Sequence, residues 1–126
     1  MADSKILFKA LQNDTTVSST ATNTEFPNEP VSADAGKTQG ISPLWAVPVA
    51  NSAAEYSSKH ITVTLEGNTT AFTFWQTGGT IYFSQTNTWN NTDPMTITGS
   101  GTKGTLIVTE VDTKPWVVGE LTVEDL

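Results

Sequence analysis

Residues 60–66 alternate apolar and polar side chains with a period of two, and two dipeptides suited to tight reversals punctuate the stretch from there to Ser84. His60-Ile-Thr-Val-Thr-Leu-Glu66 is followed by Gly67-Asn68, and Thr69–Gln76 by Gly78-Gly79 and Thr80–Ser84. Period two is the signature of a half-buried strand, and such dipeptides favour two-residue hairpin loops. The loops can be tested against the pattern. A loop at Gly67-Asn68 sets Val63 opposite Phe72 and Ile61 opposite Phe74. A loop at Gly78-Gly79 sets Phe74 opposite Phe83 and Trp75 opposite Tyr82. One face then collects Ile61, Val63, Leu65, Phe72, Phe74, Ile81 and Phe83. A slip of one residue would scatter that set over both faces, so pattern and turns specify one register.

The other face of this meander carries Thr62, Thr64, Ala71, Thr73 and Ser84, with Trp75 and Tyr82 side by side and His60 near them. Further strands are expected at Met95–Thr98, Thr105–Val111 and Trp116–Val123, the last two apolar on both faces as if buried on both sides. Serine and threonine together outnumber all charged residues, and β-branched threonine suits a half-exposed strand face. Residues 14–58, punctuated by Pro27, Pro30, Pro43 and Pro48, read as a loop-rich half. Its expected elements are short strands near Thr15–Thr20 and Leu44–Val49 and a helical turn around Ser52–Ser57. Leu7–Leu11 reads as an opening strand. With 126 residues the chain fits one domain. The expected fold is all-β, a small antiparallel two-sheet β-sandwich. A small β-barrel is the alternative closure.

Composition removes many functions. There is no cysteine, hence no disulfide, thiolate metal site or cysteine nucleophile. Arginine is absent too, and the only cations are Lys5, Lys9, Lys37, Lys59, Lys103 and Lys114 against a formal net charge of −7. Phosphate backbones need clustered Lys or Arg, so nucleic acid is excluded as a partner. Strong attraction to anionic lipid is disfavoured for the same reason. Met1–Leu11 is too short and too interrupted for a signal peptide, and no stretch is long enough for a transmembrane helix. A cytoplasmic location is expected. The sequons at Asn13, Asn68 and Asn90 read as accidents of a threonine-rich chain.

Catalytic options are few. His60 is the only histidine, no nucleophile-elbow motif accompanies it, and one histidine does not make a zinc or iron site. Glu66, Asp93, Glu110, Asp112 and Glu120 fall mostly at strand ends and turns, where solvated charge is the ordinary outcome. Asn87, Asn91 and Asp93 offer oxygen ligands of the kind calcium takes, but their spacing matches no EF-hand loop. Gly99-Ser-Gly101 lacks the context of a phosphate loop. No cofactor and no enzymatic activity are expected.

What remains is an aromatic and amide set: Trp75, Tyr82 and Trp89 with Asn87, Asn90, Asn91 and Asp93. An aromatic face covers the C–H side of a pyranose ring, while amide and carboxylate groups bond its hydroxyls. These seven residues are the expected ligand site. Trp45 and Trp116, beside prolines, read as core or edge-covering residues.

The tail from Thr96 to Leu126, with Gly99-Ser100, Thr102-Lys103 and Gly119-Glu-Leu-Thr-Val123, resembles the end of the aegerolysins. The likeness implies a small acidic β-sandwich that binds membrane lipids, but the tryptophan-rich signatures of that family are missing upstream. Thr70–Tyr82 is similar to a stretch of phage capsid decoration proteins. The leading expectation is thus a non-catalytic, lectin-like carbohydrate-binding domain with a glycan partner. The alternatives are a structural or assembly subunit of a homo-oligomer and an aegerolysin-like protein on a lipid membrane.

Overall fold

The computed structural model describes residues 6–67, 71–85, 88–89, 94–99, 103–111 and 114–124. Its strands are β1 (Leu7–Asn13), β2 (Ser19–Asn23), β3 (Phe26–Ala33), β4 (Thr38–Ala46), β5 (Ile61–Leu65), β6 (Ala71–Thr77), β7 (Thr80–Ser84), β8 (Thr96–Gly99), β9 (Lys103–Val111) and β10 (Lys114–Glu124), with one helical turn α1 (Ala53–Tyr56). They form two five-stranded sheets, ordered β4-β1-β9-β10-β8 and β3-β2-β5-β6-β7. The two layers enclose one apolar core and do not close into a barrel.

The meander β5–β6–β7 has the register that its turns imply. Val63 pairs with Phe72, Ile61 with Phe74, Phe74 with Phe83, and Trp75 with Tyr82. Gly78 and Gly79 both have positive φ, 58° and 84°, as a type I′ hairpin loop requires. Ile61, Val63, Leu65, Phe72, Phe74 and Ile81 lie in the core, with Phe83 packed against its margin. From the facing sheet come Phe8, Leu11, Trp45, Leu106, Val108 and Leu121. Phe8 contacts Phe74 edge-on at 5.5 Å and tilts against Trp45 at 5.9 Å, geometries that suit the aromatic quadrupole.

Three features depart from expectation. First, residues 14–58 contain more strand than their prolines suggest, namely β2, β3 and β4. Thr15–Ser18 is a connection, β2 starting only at Ser19, and β4 ends at Ala46. Both β3 and β4 are edge strands, where proline is tolerated because one side of the backbone has no ladder to complete. Pro27, Pro30 and Pro43 thus mark edges rather than loops. Second, the sheet containing β1 is mixed: β1 runs parallel to β9, and β8 parallel to β10. Third, β9 is buried on one face only, with Leu106 and Val108 inward and Thr105, Ile107 and Thr109 half-buried.

Asn13 ties three segments together. Its Nδ2 donates to the carbonyls of Val17, Ala33 and Asp34 at 2.7, 3.0 and 3.3 Å. Its Oδ1 accepts from the Thr15 amide at 3.0 Å and faces the Thr15 hydroxyl at 2.6 Å. The side chain has no exposed surface. Asn13 and Thr15 of this Asn-Asp-Thr sequon form a buried polar hub joining the end of β1 to the β3–β4 turn.

Candidate functional site

The sheet β3-β2-β5-β6-β7 has a core face and an outer face, and α1 lies across part of the outer one. Ser52 caps α1, its Oγ accepting from the Glu55 amide at 3.2 Å, while Glu55 Oε1 accepts from the Asn51 amide at 2.8 Å. This pairing of a serine with a glutamate three residues on resembles a capping box. The segment leading into α1 is stitched to β6. Gln76 donates through its backbone to Pro48 and through Nε2 to Val47, both at 2.8 Å, and Ala50 donates to the Gln76 carbonyl at 3.0 Å.

The helical turn thereby delivers Tyr56 onto Trp75. Their rings meet edge-on at 4.7 Å, and the Tyr56 hydroxyl pairs with Thr73 Oγ1 at 2.9 Å. His60 also stacks on Tyr56, at 4.9 Å. Its Nδ1–H donates to the Tyr56 carbonyl at 2.6 Å, because a carbonyl can only accept. Trp89 stacks on Trp75 at 5.4 Å with ring planes 28° apart, and lies 6.1 Å from Tyr56. Ala50, Tyr56 and Trp75 form a second buried cluster, separate from the main core, with Tyr82 and Trp89 packed on it and half-exposed. None of these five residues carries a formal charge.

Sequence reasoning placed Trp75, Tyr82 and Trp89 together, and the fold does bring them into one cluster. Their exposures differ, however. Trp75 has no exposed surface, so it backs the site rather than lining it, and Trp89 and Tyr82 are the rings that reach solvent. Asn87, Asn90, Asn91 and Asp93, and with them the calcium ligands considered above, lie outside the described residues. Tyr56 was missed. The signal that could have found it is the Ser52-x-x-Glu55 cap, which fixes a helical turn whose last residue must point back onto the sheet.

Among the described residues of the outer face, Trp75 Nε1–H is buried without a hydrogen-bond partner. Leaving such a group unpaired costs about 1–3 kcal/mol. Among the described residues no group of three or more His, Asp or Glu side chains lies close enough to hold a metal ion. Nor is any described helix long and apolar enough to cross a membrane. Comparison of the chain with known protein families, with curated proteins and with solved structures finds no match.

Proposed function

We propose that this chain is a non-catalytic recognition domain that binds a neutral carbohydrate at the rim formed by Trp89 and Tyr82. The observation that carries this reading is the stack of half-exposed Trp89 on fully buried Trp75. A lone surface tryptophan is floppy, whereas one held against a second indole and a tyrosine keeps its position when a ligand arrives. Binding then costs little side-chain ordering. The cluster is uncharged and apolar in its ring faces, which suits the C–H face of a sugar and gives a charged ligand no counter-ion. The chain has no arginine, so bidentate capture of an anionic group is not available either.

A glycan array run with the wild type and with Trp89→Ala tests this. Binding to a neutral glycan that the folded variant loses supports the site, and no binding to any glycan refutes it.

A second reading has one observation in its favour. Phe26, at the start of the edge strand β3, is 43% exposed, and residues 26–30 are all exposed. This is a surface that a partner copy could cover in an assembly. Pro27 and Pro30 remove two amide donors from that strand, so strand-to-strand addition is blocked and any such contact would rest on side chains. Sedimentation across a concentration range with Phe26→Ser alongside would detect it.

A further inference from the structure

We propose that the carbohydrate is a linear chain of several units, one end held at Trp89 and Tyr82 and the remainder lying across β5 and β2. This inference rests on the carbohydrate reading above. It comes from the half of the outer face that α1 leaves uncovered. Two Thr-x-Thr segments, Thr20-Ala-Thr22 on β2 and Thr62-Val-Thr64 on β5, run antiparallel in direct register. Thr20 pairs with Thr64 and Thr22 with Thr62. The rows continue outward and inward: Thr20 pairs with Ser32 on β3, their hydroxyls 3.0 Å apart, and Thr62 pairs with Thr73 on β6. Thr73 in turn pairs with Ser84 on β7.

The result is a grid of hydroxyls with rungs about 4.8 Å apart between strands and about 6.8 Å apart along them. Exposure divides the grid. Thr73 and Ser84 are buried beside the aromatic cluster, whereas Thr64 and Ser32 are exposed and Thr20, Thr22 and Thr62 half-buried. The outer face is therefore a step, with an aromatic wall ending at Tyr56 and His60 and a flat hydroxyl floor beginning at Thr62. Thr20, Thr22, Ser32, Thr62 and Thr64 carry no ionisable group, although a strand face that served only solubility would carry charge. Each hydroxyl both donates and accepts, the same bivalence as a sugar hydroxyl. A hydroxyl floor that begins where the ring wall ends fits an uncharged polymer better than a single ring.

The test is an affinity series with linear neutral cello- and chito-oligosaccharides, from monosaccharide to hexasaccharide, on the wild type and on the double variant Thr62→Val with Thr64→Val. Valine keeps the shape and β-branching of threonine and removes only the hydroxyl. Thr20→Val serves the same purpose if the double variant does not fold. Wild-type affinity is expected to rise with chain length. The variant is expected to lose about tenfold toward the longer chains, in line with two net hydrogen bonds, while keeping its affinity for the shortest ligand that binds. Affinity independent of length, or a variant equal to the wild type, overturns the extended floor and leaves the Trp89 site standing. Failure of the wild type to bind any of these sugars, together with an empty glycan array, overturns the carbohydrate reading itself.

Discussion

Trp89 lies stacked on Trp75, ring centroids 5.4 Å apart and planes 28° from parallel, although β7 and its turn separate the two residues in sequence. One indole is fully buried and the other half-exposed, so the buried ring supports the outer one. The two should respond differently to truncation. Trp75→Ala empties the centre of a buried cluster and is expected to cost about 3–5 kcal/mol. Trp89→Ala, at the rim, should cost well under that. Chemical denaturation of both variants checks the difference.

The Tyr56 hydroxyl joins α1 to β6 through Thr73. Tyr56→Phe preserves the rings that touch Trp75 and His60 but strips one partner from a buried hydroxyl. A loss of about 1–2 kcal/mol is expected, with the near-ultraviolet circular dichroism of the tryptophans largely kept. A loss of that aromatic signal would mean that the hydroxyl, not the ring packing, holds the cluster together.

Asn13 is the polar counterpart of the aromatic cluster. Its amide serves three carbonyls and two groups of Thr15 without exposed surface. Asn13→Ala leaves those buried groups unpaired and is expected to destabilise the fold by about 3 kcal/mol or more. Because the amide is buried, the folded chain should also resist glycosylation at this sequon, which mass spectrometry after exposure to an oligosaccharyltransferase can read.

Gly104 on β9 faces Leu121 on β10 so closely that a Cβ there would stand 2.7 Å from a Leu121 methyl carbon and 3.0 Å from its Cγ. Leu121 is itself fully buried and has little room to yield. Gly104→Ala should therefore destabilise by about 1–3 kcal/mol, measurable as a lowered denaturation midpoint. An unchanged midpoint would mean that the core relaxes around the extra methyl group.

The legible parts of the fold were the local ones. The register of β5, β6 and β7 followed from alternation and from two glycines with positive φ, because a slipped strand would have turned Phe72 and Phe74 to solvent. The parallel pairing of β1 with β9 joins residues about ninety-five apart in the chain, and nothing local to either strand records it. Proline at 27 and 30 misled for a physical reason: its missing amide is compatible with either a loop or an edge strand. At the site, the Gly78-Gly79 turn revealed that Trp75 and Tyr82 are neighbours. It did not reveal that Tyr56 and Trp89 cover Trp75, since burial of an outer-face residue depends on what a distant helical turn brings to it.

The most direct test of the carbohydrate account is the affinity of the best array ligand for folded Trp89→Ala beside the wild type, measured by titration calorimetry. Hot-spot aromatics commonly contribute about 2 kcal/mol or more, so the account predicts a loss of at least about thirtyfold, with a melting temperature close to that of the wild type. Undiminished affinity in the folded variant would contradict it.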